Sequence, residues 1–145
     1  MQREEHLILI CGSNQKLEQR MRARFGRDAR VTILGSVSNM PVYLHACDII
    51  YTKPGGLTST ESLVKNIPIV HTAPIPGCET ANLHFFGARH LSVSSKHLAK
   101  QVQLGKALIE NDSLREQMSE AQRRERKPEA AMQIVSLLER LVSHE

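Results

Sequence analysis

Short apolar runs alternate with stretches that repeat apolar residues at helical spacing along the first two thirds of the chain. "HLILICG" is such a run, ended by Gly12, and "QKLEQRMRARFG" then sets Leu17, Met21 and Phe25 on one helical face before Gly26. That is the pattern of a strand, a turn and an amphipathic helix. "RVTILG" and "CDIIYT" read as two further strands, with "NMPVYLHA" between them as a brief helix that Pro41 can open from its first turn. "TSTESLVKN" reads as the next helix, "IPIVHT" as a strand, "APIPGCETANLHFFG" as a loop entering a helix, and "RHLSVSS" as a weak last strand. The remainder is helical, with Leu98, Val102 and Ile109, then Ile134, Leu137, Leu138 and Leu141, as its apolar stripes. The charge run "RRERKPE", broken by Pro128, reads as a solvated hinge between two terminal helices or as a lipid-facing patch.

Parallel strands need crossover connections, so short apolar strands alternating with helices predict an α/β fold with a parallel sheet covered by helices on both faces. At 145 residues the chain has room for one domain with a real core. Hydrophobic residues make up 41% and charged residues 23%, as in ordinary globular proteins, and no apolar stretch reaches the roughly 18 residues of a membrane span. The start "MQREEHLILICG" lacks the layout of a secretory signal, which gives a cytoplasmic expectation. Cys11, Cys47 and Cys78 are odd in number and widely spaced, which predicts reduced, mostly buried thiols and no zinc site. The formal charge of +4 suits a phosphorylated ligand, an anionic lipid or nucleic acid, but aromatics are only 3% and Trp is absent. Base-stacking platforms are therefore poorly supplied, and nucleic acid is not an expected partner.

The candidate chemistry gathers where strands hand over to helices. In "TKPGGLTSTE", Gly55 and Gly56 lie just before a helix start. Without β-carbons they let a phosphate approach the main chain, where unpaired N–H groups and the helix dipole favour an anion. A plain turn is the alternative. Neither a Walker spacing nor Gly-x-Gly-x-x-Gly is present. Thr58 and Glu61 have capping-box spacing, so the Glu61 carboxylate either caps the helix or accepts from ribose hydroxyls. In "PIPGCETAN", Pro74, Pro76 and Gly77 fix a loop, after which Glu79, Thr80 and Asn82 offer polar groups suited to a sugar or, alternatively, a simple N-cap. His71 and His84 lie near the same rim and are either packed, solvated or in touch with a ligand.

The block "TKPGGLTSTESLVKNIPIVHTAPIPGCETAN" joins Lys-Pro-Gly-Gly, a helix with a Glu, a Pro-led strand and Pro-Gly-x-Glu-x-x-Asn. Over about Leu7 to Leu141 the chain resembles the sugar-nucleotide-binding, C-terminal half of family 28 glycosyltransferases of the GT-B fold. The likeness is to the branch of monogalactosyldiacylglycerol synthases and processive diacylglycerol glucosyltransferases. The resemblance implies that Gly55, Gly56, Leu57 and Thr58 hold the diphosphate of a UDP-sugar and that Glu61 binds its ribose. It further implies a uracil pocket from Gly12, Asn14 and Val37, and a donor-sugar site from Pro76, Gly77, Cys78, Glu79 and Asn82. Cys78 stands where the lipid-galactosyl branch usually has Gln, which leaves the choice of sugar open.

The implied activity is an inverting transfer of a hexose from a UDP-sugar to a lipid acceptor such as diacylglycerol, with no cofactor and no obligatory metal. The site of work would be peripheral, at the inner face of the membrane. Family members also carry an N-terminal acceptor domain that supplies the catalytic base, to which nothing in this chain corresponds. The family's UDP-sugar domain also begins with a strand and glycine-rich turn ahead of "HLILICG", in a mid-sheet position. Residues 1–145 therefore read as one partial UDP-sugar-binding domain, with a terminal helix over about 124–145. Loss of that strand predicts that "HLILICG" and "CDIIYT" either pair directly or leave unpaired edges, unless another chain or segment supplies it. The other expectation is a non-catalytic nucleotide-sugar-binding subunit of a split transferase, active with a separate acceptor chain.

Overall fold

The computed structural model describes residues 5–142. They form two compact units that divide after Tyr43, within one short helix. In the first unit, strand β1 (Leu7–Ile10), helix α1 (Gln15–Phe25) and strand β2 (Val31–Leu34) follow one another in sequence, with the strands parallel and in register from Leu7 opposite Val31 to Ile10 opposite Leu34. Asn14 caps α1 by accepting the Leu17 N–H at 3.0 Å, and the pair Glu18–Arg22, one turn apart, supports the helix along its surface. Ile33 is the buried residue of the two strands, while α1 buries none of its side chains fully.

Helix α2 (Met40–Ala46) spans the division, with Pro41 in its first turn as the sequence predicts. The second unit holds a parallel sheet in the order β3 (Ile50–Thr52), β4 (Ile69–His71), β5 (Val93–Ser94). Its helices are α3 (Gly56–Val64), α4 (Thr80–Ala88), α5 (Leu98–Glu110), α6 (Asp112–Glu125) and α7 (Ala130–Val142). The central strand β4 is fully buried along its length, as its near-continuous apolar sequence requires. Ile69 joins Leu63, Phe86, Leu91 and Ala121 in one cluster, and its neighbour Val70 joins Leu108 and Met118 in another. Successive side chains on a strand point to opposite faces, so the helices cover both.

Gln122 of α6 is buried between these elements. Its Nε2 donates to the carbonyls of Ile67 and Leu91, each at 2.9 Å, and so ties α6 to the entrances of β4 and β5. An aliphatic residue here would deprive both carbonyls of this donor, which favours Gln although its Oε1 has no hydrogen-bond partner among the described residues.

Among the described residues, β1 has a strand partner only in β2, and β3 only in β4. The cysteines differ from expectation: Cys11 and Cys47 are half-buried and Cys78 is exposed, because Cys11 and Cys78 fall in turns at strand and loop ends rather than in the core.

Helix α5 also corrects the sequence reading. Leu98 and Val102 are exposed, and the buried positions are Gln101, Gly105 and Leu108. Gln101 donates from Nε2 to the Ser95 carbonyl at 2.7 Å, and Gly105 faces the ring of Tyr51, whose hydroxyl occupies the space a β-carbon would need. A polar residue and a glycine therefore occupy the inward face, which no apolar count can reveal.

Candidate functional site

The rim at the carboxyl end of β3 begins with Lys53 and Pro54. Pro54 is buried, and the Gly55 N–H turns back to the Lys53 carbonyl at 2.8 Å. Helix α3 then starts at Gly56, two residues earlier than the sequence pattern suggests, with Gly55 as a cap in extended conformation that offers no side chain. The first intrahelical bond at this end runs from the Ser59 N–H to the Gly55 carbonyl at 3.2 Å. The N–H groups of Gly56, Leu57 and Thr58 precede it, and no capping side chain covers them. A β-carbon placed on Gly56 would meet nothing within 4 Å, and Leu57 projects outward with 82% exposure, so the surface beside this helix start is open.

This start removes the capping box as an account of Glu61. Thr58 lies inside the helix rather than at its cap, and its carbonyl accepts from Ser62 Oγ at 2.7 Å. Glu61 is exposed one turn beyond the first free amides. The signal that removes the cap is the exact helix start, which Thr-x-x-Glu spacing alone does not give.

The second polar segment meets the first. Gly77 adopts φ +84°, a left-handed conformation suited to glycine, and this lets the loop after β4 double back before α4. Glu79 precedes α4. Its Oε2 accepts the Ile75 N–H at 2.7 Å, and its Oε1 would lie 3.6 Å from a β-carbon on Gly55. Asn82 donates from Nδ2 to the Pro54 carbonyl at 3.0 Å. The Gly55–Gly56 turn, Glu79 and Asn82 thus form one polar rim, with Pro76, Gly77 and Cys78 exposed on the loop beside it.

Beneath the rim, His71 at the end of β4 is fully buried. Its Nε2 is hydrogen-bonded to Ser59 Oγ at 3.0 Å, and its ring packs edge-on against Phe86. Burial pushes its pKa down to about 4, against a smaller upward pull from the Glu79 carboxylate. His71 is therefore a neutral internal strut between β4 and α3, and His84 is exposed on α4. Ser59, which holds His71 from α3, was not singled out from the sequence, because nothing local links residues 12 positions apart.

In the first unit, Gly12 and Asn14 lie just beyond β1, and Val37 just beyond β2. The strands are parallel and the Cys11 N–H bonds the Leu34 carbonyl at 2.8 Å, so these residues leave the sheet at the same end. Gly12 has φ +59° with open space around its α-carbon, Asn14 is committed to capping α1, and Val37 is half-buried.

Parallel strands flanked by helices define an α/β fold, in which ligands bind outside the strands' carboxyl ends. Solved structures share it. MurG from Acinetobacter baumannii aligns with a TM-score of 0.70 at 21% identity, over 93% of this chain and 41% of that one. The glycosyltransferase SsfS6 from Streptomyces sp. SF2575, solved with thymidine diphosphate, aligns with a TM-score of 0.57 at 11% identity, over 92% of this chain and 41% of that one. The fold is that of GT-B glycosyltransferases. Residues 1–125 match the family model of glycosyl transferases group 1, and the chain belongs to that family. A curated relative, the processive diacylglycerol β-glucosyltransferase of Staphylococcus carnosus (strain TM300), is 31% identical over 117 residues, 81% of this chain and 30% of the relative. Its name is that of the branch which the Lys-Pro-Gly-Gly and Pro-Gly-x-Glu-x-x-Asn motifs resemble. The chain spans about a third of the length of that relative.

Proposed function

We propose that this chain is the donor-binding part of an inverting glycosyltransferase that moves a hexose from a UDP-sugar to a lipid acceptor. The observation that carries the proposal is the open start of α3: three amides without a capping side chain follow a glycine pair, beside Glu79 and Asn82. A diphosphate there accepts from the N–H groups of Gly56, Leu57 and Thr58, with the positive end of the helix dipole behind them. Glu61 receives the ribose hydroxyls, while the uracil assignment of Gly12, Asn14 and Val37 rests on the motif resemblance. The donor hexose lies against the loop of Pro76, Gly77 and Cys78, with Glu79 and Asn82 as its polar contacts.

In the displacement, the acceptor oxygen bonds to the anomeric carbon as the bond to the β-phosphate oxygen breaks, and the departing UDP takes the electron pair. Charge develops on that phosphate, so amides fixed in advance stabilise the transition state more than the ground state. No cofactor or metal is assigned a role. The base that takes the acceptor's proton is assigned to an acceptor-binding part outside these residues. The family membership and the relative's name support this reading, as does the thymidine diphosphate bound to SsfS6, a protein of the same fold.

Calorimetric titration with UDP, a panel of UDP-sugars and other nucleoside diphosphates tests it. UDP is expected to bind about tenfold or more tightly than diphosphates of other bases, a difference equal to one or two hydrogen bonds to the base. Equal binding of all diphosphates would remove the uracil assignment, and no binding of any would remove the donor site.

A further inference from the structure

The central strand β4 is apolar at Ile69 and Val70 but ends in His71, an imidazole with no exposed surface. Burial pushes its pKa down to about 4, so the ring is neutral at pH 7. Its Nε2 has the Ser59 hydroxyl as partner, while Nδ1 has none among the described residues. A buried nitrogen without a partner destabilises a fold, whereas replacing both members of a buried hydrogen-bonded pair by apolar groups is close to neutral. Packing alone would therefore be served as well by an aliphatic pair at positions 59 and 71.

The surroundings of the ring give the polar pair a use. The first turn of α3 has little else to fix it: Gly55 and Gly56 carry no side chains, and Leu57 projects outward. Ser59 is the first wholly buried residue of the helix, with its N–H on the Gly55 carbonyl at 3.2 Å and its Oγ on His71 at 3.0 Å. The glycine turn is thus held at both ends. Asn82 grips the Pro54 carbonyl ahead of the glycines, and His71 grips Ser59 just after the three uncapped amides. The same ring packs edge-on against Phe86 of α4, with centroids 5.2 Å apart, and feels the Glu79 carboxylate that precedes α4. One buried side chain therefore joins the two polar segments of the rim.

We propose that His71 is a positioning residue for the donor: through Ser59 it fixes the first turn of α3, and with it the placement of the Gly56, Leu57 and Thr58 amides around the diphosphate. The inference rests on the donor-site reading above. Being wholly buried, His71 acts on the ligand only through its neighbours. Donors held in advance by a supporting hydrogen bond lose less freedom when the ligand arrives, so the pair contributes affinity rather than stability.

Calorimetric titration with UDP, paired with a thermal melt, of wild type, Ser59→Ala/His71→Leu and His71→Gln tests it. The double variant removes both polar partners together and should melt close to wild type, yet bind UDP about tenfold more weakly. His71→Gln places an amide where it meets Ser59 Oγ and should stay within about threefold of the wild-type affinity. A pair that serves packing alone predicts instead that the double variant binds UDP like wild type. That result, a loss as large in His71→Gln as in the double variant, or a double variant that melts well below His71→Gln would each overturn the inference. Absence of UDP binding by wild type would remove the donor site and this role with it, whereas full binding by both wild type and the double variant removes the role of His71 alone.

Discussion

Two glycines of the second unit stand in opposite surroundings. At Gly105, in the middle of α5, the missing β-carbon is replaced by the Tyr51 hydroxyl; at Gly56, at the start of α3, it is replaced by nothing within 4 Å. The first glycine exists for packing, since a helix interior otherwise disfavours it by about 1 kcal/mol relative to Ala. The second leaves main-chain donors accessible. The comparison teaches that a glycine is a candidate site only where the space it opens is not filled by packing and polar groups lie beside it.

The sharpest way to break the comparison is Gly105→Ala. By helix propensity alone the change would stabilise, but the overpacking against Tyr51 should dominate and destabilise by about 3 kcal/mol. Denaturant melts of Gly105→Ala, alone and with Tyr51→Ala, check this; the double variant should recover much of the loss, and a stabilised single variant would contradict the assignment.

Acid should probe the strut beneath the rim almost as strongly. His71 has a folded pKa of about 4 against 6.5 when exposed, so as pH falls the unfolded chain takes up a proton that the folded chain refuses. Its contribution to stability is complete above about pH 6.5 and declines toward pH 4, by up to about 3 kcal/mol. Unfolding free energies at pH 7 and 4.5 for wild type and His71→Gln measure it, and the variant should show the shallower decline.

Gly56→Asp is the counterpart on the open side. An acid in the first turn of a helix is well tolerated by the fold, but here it should repel the diphosphate and weaken UDP binding by about a hundredfold with the melting temperature held. Glu61→Ala, at a position without a capping role in this helix, should cost about tenfold in UDP affinity by calorimetry, and equal affinity would end its ribose assignment.

Much of this was legible in the sequence. The strand positions of "HLILICG", "RVTILG", "CDIIYT" and "IPIVHT" follow from their apolar runs, and Pro41 stands where a helix start accepts it, whereas the capping role of Asn14 appears only in the structure. The polar rim was legible too, because Lys-Pro-Gly-Gly and Pro-Gly-x-Glu-x-x-Asn each sit after a strand. What escaped depended on distant partners. The inward face of α5 is set by Tyr51 and the Ser95 carbonyl, so Leu98 and Val102 mislead about it. The bond between Ser59 and His71, and that between Asn82 and Pro54, join segments whose proximity only the fold creates. The stripe of α7 was plain in the sequence, but its exposure was not, since periodicity reports an apolar face and not what covers it.

The central claim is that the first amides of α3 hold the diphosphate of UDP. Amide chemical shifts followed by nuclear magnetic resonance during a UDP titration test it most directly. The account predicts large, saturable shifts at Gly56, Leu57 and Thr58 with the dissociation constant found by calorimetry. Saturable UDP binding that leaves those three amides unmoved would contradict it.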